Sequence, residues 1–122
     1  MESINNINYS INQHTINKFL QKYEYQYMVC FKLSDFNKKL VKGFELLNKE
    51  GTNIDEIYYE RIAQLTDYVN NKLNIRNYED FKKAIAFIEM SEVILDQGIR
   101  EKDFDCLTEG LYTLKSNLEN FE

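Results

Sequence analysis

Two cysteines and one histidine are the residues that could supply nucleophilic chemistry. Cys30 and Cys106 stand far apart, each among apolar neighbours, which is typical of small buried thiols rather than of a disulfide pair. His14 lies in a polar stretch, and no residue near it in sequence could orient it as a general base. Because a thiol nucleophile needs such a base within hydrogen-bonding distance, the sequence predicts no catalytic residues and no enzyme activity.

Paired carboxylates are the second feature whose spacing allows chemistry. Glu56 and Glu60 would share one helix face, as would Glu89 and Glu92, and acids in this arrangement can hold a metal ion. Di-iron bundles use Glu-x-x-His motifs, however, and a structural zinc site needs four ligands. The chain has neither pattern and no glycine-rich phosphate loop. We therefore predict no metal and no cofactor and interpret these acids as solvated helix faces, with a magnesium site as the alternative.

Charge is unevenly distributed along a chain whose net charge is −5. Residues 1–61 sum to zero, so residues 62–122 carry the whole excess of acid, which is densest between residues 89 and 109. Lysines recur from Lys32 to Lys42, beside Phe36. A net-negative chain is a poor candidate for general nucleic-acid binding, because phosphate neutralisation dominates that affinity. The segment from Lys32 to Lys42 is the alternative that would bind nucleic acid.

Helices are the elements that must position these residues. Apolar residues recur every three or four positions, and the absence of proline leaves long helices uninterrupted. We predict one helix from Ser34 to a stop at Gly51, and a second helix capped by Asn53. A third helix is predicted between a cap at Asn77 and a stop at Gly98.

The C-terminal segment carries the clearest helical pattern. Its apolar residues alternate steps of three and four, as in the seam of a bundle or coiled coil. These residues are Phe104, Leu107, Leu111, Leu114, Leu118 and Phe121. Gly110 interrupts the segment with a poor helix former, which a close helix crossing would explain. Short links between such helices favour antiparallel neighbours.

Residues 23–33 fit two secondary structures. Every odd position is apolar or aromatic, which is typical of a strand that could pair with residues 4–12 in a small β-ribbon. The same residues continue a helical face that starts upstream at a capping box beginning at Ser10. We interpret the segment as a helix, with the ribbon as the alternative. On this helix Tyr25, Met28 and Val29 fall opposite the main apolar face, so one face is surplus to a simple bundle.

The predicted fold is therefore all-α, a compact antiparallel bundle of four to five helices in a single domain over residues 1–122. In one version of this prediction residues 1–9 form a flexible N-terminal tail. The first residues carry no basic cluster and no apolar run, so they do not resemble a signal peptide. No window is apolar enough to span a membrane. We expect a soluble cytoplasmic protein.

The function that this sequence favours is non-enzymatic binding that occludes another protein. Nine tyrosines offer rigid contact area, and the acidic band would steer a basic nucleic-acid-handling partner. The partner-binding residues predicted are Glu92, Asp96, Glu101, Asp103, Asp105, Tyr25 and Met28. The lysine-rich, asparagine-rich composition is typical of a phage or mobile-element gene. It suggests an anti-CRISPR-like inhibitor of a host defence nuclease, or a toxin-immunity protein.

A homo-oligomeric structural or regulatory protein is the second hypothesis. Either the surplus face of residues 23–33 or the seam from Phe104 to Phe121 would then pair with its own copy. A monomer in light scattering would remove this hypothesis. Nucleic-acid binding through the segment from Lys32 to Lys42 comes after it.

Overall fold

Four α-helices joined by short links make up the described chain. The structure is a computed structural model, which describes the backbone of residues 2–121 and the side chains of residues 18 and 20–121. The helices are α1 (Glu2–Lys49), α2 (Glu56–Asn71), α3 (Tyr78–Glu101) and α4 (Phe104–Glu119). No strand occurs in this range, which confirms the all-α prediction; the β-ribbon of residues 4–12 and 23–33 is wrong. The side chain of His14 lies outside the described residues, and a flexible tail at residues 1–9 stays a prediction.

Helix α1 runs without a break through the position where the sequence predicted a new helix. It begins at Glu2 and ends at Lys49, so neither Ser10 nor Ser34 starts a helix, and the count is four. The physical reason is that one buried stripe passes through Val29, Leu33 and Phe36 in steps of four and three. Ser34 is exposed on the opposite side of this stripe, where water hydrates its hydroxyl group. A polar residue there therefore does not end the helix.

The helix directions follow from contacts between helices. Asn37 of α1 donates a hydrogen bond to Thr66 of α2 (2.9 Å), and Gln26 donates to the carbonyl of Val69 (2.6 Å), so α1 and α2 are antiparallel. The helix α3 runs parallel to α1, because its start meets Tyr25 while its end meets residue 43. Helix α4 then returns antiparallel to α3.

The arrangement around the bundle is α1, α2, α4, α3. Over the described backbone α2 and α3 make no contact, whereas α1 and α4 meet across the bundle. The link from α2 to α3 must therefore cross one end of the bundle. Leu73 and Ile75 of this link are buried there and close that end of the core.

The predicted seam of α4 lies in the core. Leu107, Leu111, Leu114 and Leu118 have at most 1% of their surface exposed, and Phe121 is buried beyond the end of the helix. The seam packs on α3 at a close crossing, where Gly110 faces the backbone of Ser91 and Leu95; this is the crossing that the sequence suggested. Because these residues are buried within one chain, they are not available to a second copy.

Two of the predicted helix boundaries are found in the structure. Asn77 caps α3 as predicted, accepting a hydrogen bond from the backbone N–H of Asp80 (2.9 Å). Asp80 in turn accepts from the backbone N–H of Arg76 and pairs with its side chain, and these bonds hold the pKa of Asp80 below its ordinary value. Gly51 has a φ of 100°, so a glycine stop after α1 is also found.

Two predicted boundaries are wrong. The cap of α2 is Asp55 instead of Asn53, because the side chain of Asp55 accepts from the backbone N–H of Ile57 (3.0 Å). Helix α3 continues past Gly98 to Glu101, and Lys102 takes the left-handed conformation after it. None of the helices has a stretch both long and apolar enough to cross a lipid bilayer, as far as the described residues extend.

Candidate functional site

An exposed row of large apolar side chains marks the N-terminal half of α1. We call this row the ridge; each member has between 48% and 61% of its surface exposed. It consists of Leu20, Tyr23, Tyr27, Met28 and Phe31. The rings of Tyr27 and Phe31 lie 6.5 Å apart at a shallow angle. Exposed patches of this size on a single chain are often functional.

The ridge is exposed because α1 carries two apolar stripes and the bundle covers only one. At about 100° per residue, Tyr27 and Phe31 point almost directly away from Val29. Val29 has no exposed surface and belongs to the core. The segment before it reaches past the core, since all described side chains from residue 18 to residue 24 are exposed. Nothing within the described chain covers the ridge.

Two grooves flank the C-terminal part of the ridge. The α1–α2 groove has a volume of about 840 Å³ and extends along α1 from Tyr27 to Glu45, with Ile62 and Thr66 of α2 as its far wall. The α1–α3 groove is smaller, about 370 Å³, and ends against Phe81 of α3. Tyr27 and Phe31 line both grooves, so the ridge separates them. A convex apolar row between two grooves is a shape onto which another helix can pack.

Charged side chains lie along the rim of the α1–α2 groove. Lys38 and Lys42 are exposed there, together with Glu45. Neither lysine forms an ion pair with a side chain that the structure describes. On the groove floor the amide of Asn37 donates to the hydroxyl of Thr66. The groove therefore combines an apolar wall with charges that are free to meet a partner.

The two predicted apolar contact residues have different environments. Met28 belongs to the ridge and has 51% of its surface exposed. Tyr25 is half-buried, and its ring stacks on Phe81 with 4.9 Å between the ring centroids. Tyr25 thus helps to hold α1 against α3, whereas Met28 remains available for contact.

Two acids of the predicted acidic band, the acid-rich stretch of residues 89–109, form ion pairs within the chain. Glu92 lies 3.8 Å from the ammonium of Lys32, and Asp96 lies 3.5 Å from that of Lys39. Both pairs join α3 to α1. The acidic stretch and the lysine stretch that the sequence shows as separate features are therefore partly one contact between neighbouring helices.

The other predicted acids surround the turn between α3 and α4. Asp103 caps α4 by accepting from the backbone N–H groups of Asp105 (3.0 Å) and Cys106 (3.3 Å). Glu101 and Asp105 are exposed, and so is Glu109 one turn into α4. We call Glu101, Asp103, Asp105 and Glu109 the acidic turn. Burial raises the pKa of the Cys106 thiol, and the carboxylates of Asp103, Glu109 and Glu101 raise it further.

Neither thiol has the environment of an activated nucleophile. Burial raises the pKa of Cys30, an effect that its hydrogen bond from Gln26 only partly offsets. The thiol of Cys106 donates to the carbonyl of Ile94 (3.2 Å). Both cysteines are therefore protonated at neutral pH, which makes them weak nucleophiles. Among the described side chains no three potential metal ligands cluster.

No protein family, curated protein or solved structure matches this chain. The ridge is consequently interpreted from its own geometry. Sequence reasoning selected Met28 from it and placed Tyr23, Tyr27 and Phe31 on the opposite apolar face, without naming them as contact residues. The signal that separates these faces is the stripe Val29–Leu33–Phe36: extended back to residue 20, it leaves the three aromatic residues on the outside.

Proposed function

We propose that this protein is a non-enzymatic binding protein whose contact surface is the ridge of α1. The observation that carries the proposal is the exposure of five large apolar side chains in one row, whose C-terminal part lies between two grooves. Contact with water makes such a row costly, and covering it with a partner recovers about 25 cal/mol for each Å². Aromatic side chains also lose little conformational entropy when they become contacts.

Binding of this kind would act by occluding a surface of the partner. Among the classes that the sequence suggests are a small phage-encoded inhibitor of a host defence nuclease and a toxin-immunity protein. The acidic turn supports a basic partner, because its carboxylates are exposed and would speed the approach of positive charge. The ridge and the acidic turn are thus two surfaces with different chemistry.

Nucleic-acid binding through the segment from Lys32 to Lys42 has less support. Lys32 and Lys39 already pair with carboxylates of α3, and Phe36 is fully buried and cannot stack on a base. Lys38 and Lys42 are the lysines of this segment that remain for phosphate groups. Two lysines would give only a small salt dependence of binding.

The test is affinity capture from the source cell with two matched variants. One carries Tyr23→Ser, Tyr27→Ser and Phe31→Ser on the ridge; the control carries Met90→Ser and Val93→Ser, which are also exposed apolar residues but lie on α3. We expect the native chain and the control to recover the same protein, and the ridge variant to lose it. Recovery of that protein by all three chains would contradict the proposal.

A further inference from the structure

The part of α1 before the core is a helix that the bundle does not support. At about 1.5 Å per residue, α1 is about 72 Å long and α3 only about 36 Å. Helices in water draw most of their stability from packing an apolar face, and isolated ones are marginal. The described side chains from residue 18 to residue 24, including Leu20 and Tyr23, are all exposed, and none belongs to the core. A partner along the ridge would supply the missing contact.

Three exposed residues on the outer face of α1 have a symmetric order. Glu24 comes seven residues before Phe31, and Lys38 comes seven residues after it. Seven residues are two helical turns, so the three side chains lie on one face, about 10 Å apart along the axis. Neither Glu24 nor Lys38 has an ion pair with a described side chain. Along the chain this face is first negative, then aromatic, then positive. In a second copy that runs in the opposite direction the order is reversed, so opposite charges meet on either side of the aromatic residue.

We propose that a second copy of this chain covers the ridge, through an antiparallel pairing of the two α1 helices centred on Phe31 that sets Glu24 of each copy against Lys38 of the other. The inference rests on one part of the proposed function, that the ridge is a protein contact surface. It names a second copy as the protein that the ridge meets and leaves the acidic turn as the surface for a basic partner. In such a two-fold contact the residue on the axis meets itself, and every other contact occurs twice. Phe31 thus packs on Phe31, with one ion pair on either side.

The remaining positions on this face are compatible with the pairing. Leu20 of one copy comes opposite Lys42 of the other, whose methylene groups can cover it. Tyr27 comes opposite Asp35, which is exposed and can accept a hydrogen bond from the tyrosine hydroxyl group. The pairing places no like charges opposite each other on the outer face. Residues 20–30 of each copy then lie along residues 32–42 of the other, beside the α1–α2 groove.

The ridge supplies a large part of the contact area that a stable dimer needs. Five large apolar side chains that are about half exposed present on the order of 500 Å² in each copy. The α1–α2 groove adds to this area, since it continues along α1 from the C-terminal end of the ridge at Tyr27 and Phe31 to Glu45. A stable interface of standard size covers about 800 Å² on each partner.

A charge exchange tests the pairing through the dissociation constant of the dimer, measured by sedimentation equilibrium on the full chain at low salt. Glu24→Lys and Lys38→Glu each place two like-charged pairs in the contact, so each should raise this constant about tenfold. The double variant E24K/K38E restores both pairs and should return the constant to near the native value. The controls are Glu60→Lys on the exposed face of α2 and Lys72→Glu immediately after this helix; they change the net charge equally and should have no effect.

A second variant tests the axis. Phe31→Glu would place two carboxylates against each other and should abolish the dimer, whereas Val93→Glu on α3 should leave it intact. The circular dichroism of both variants shows whether they remain folded, which we expect because both sites are exposed.

Several outcomes would overturn the inference. They are a native chain that is monomeric at micromolar concentration, a dimer insensitive to the two reversals, and a double variant that does not recover. A monomer that binds single-stranded nucleic acid through Phe31 would also overturn it. If the chain is monomeric but captures another protein in a ridge-dependent way, the inference fails and the proposed function stands. If the ridge variants change neither the dissociation constant of the dimer nor the protein recovered by affinity capture, the inference and the proposed function both fail.

Discussion

Gly98 shows how a single residue fixes the contact between α3 and α4. A Cβ atom at Gly98 would lie 2.9 Å from both the backbone nitrogen and the Cδ2 atom of Leu107. The chain turns back immediately after this point, and the backbone N–H of Asp103 donates to the carbonyl of Gly98 (2.9 Å). Gly98 is therefore needed for the close approach of α3 and α4, and it does not mark the end of α3. Lys102 makes the stop with a φ of 53°.

The variant Gly98→Ala should destabilise the protein by about 1–3 kcal/mol, because backbone atoms of α4 would have to move to make room for the methyl group. Gly43→Ala is the matched control. Its Cβ would meet only side-chain atoms, the nearest being Cδ1 of Leu107 at 3.2 Å, and alanine also favours the helix. Thermal unfolding followed by circular dichroism compares the two. An equal loss of stability in both variants would contradict this account of Gly98.

At the scale of the helix, the start of α2 can be assigned to one side chain. Asp55 has extended backbone dihedrals and accepts from the backbone N–H of Ile57, whereas Asn53 lies two residues before this cap. Both residues are exposed, so their side chains differ mainly in this hydrogen bond.

We expect Asp55→Ala to lower the free energy of unfolding by about 1 kcal/mol, the usual effect of losing an N-cap. Asn53→Ala should change it by much less, because no helical N–H depends on Asn53. Urea unfolding of both variants measures the difference. A larger effect at Asn53 than at Asp55 would mean that the helix starts where the sequence first suggested.

Helix periodicity predicted the elements better than it predicted their ends. The stripes of α2, α3 and α4 are found as expected, because burial of one helix face imposes the spacing directly. The boundary at Ser34 was wrong because the sequence alone does not distinguish a serine that caps a helix from a serine on the exposed face of one. Gly98 was taken for a stop because the sequence does not show that Leu107 packs on it. Such features depend on contacts between distant parts of the chain.

The candidate site was only partly predictable for the same reason. The sequence indicated that residues 23–33 carry one apolar face too many, and Met28 is exposed as that view requires. It could not show which of the two faces the bundle covers. The charges posed a similar problem, since the ion pairs Lys32–Glu92 and Lys39–Asp96 join residues of two different helices.

For the whole molecule, the main feature is a long helix attached to a shorter bundle. The core ends near Val29, and α1 continues beyond it with the ridge on its surface. The bundle therefore serves as a support that fixes the orientation of α1, and the ridge forms the contact. Because the ridge contributes little to the core, binding and folding should be separable by mutation.

Central to this account is that protein covers the ridge in solution. Hydrogen exchange of the backbone amides of residues 20–31, at micromolar concentration of the full chain, tests this claim most directly. Unsupported helix exchanges quickly, whereas a helix packed against a partner is protected. The account predicts protection in the native protein and in Val93→Glu, and its loss over residues 20–24 in Phe31→Glu. Equally fast exchange of residues 20–24 in all three proteins would contradict it.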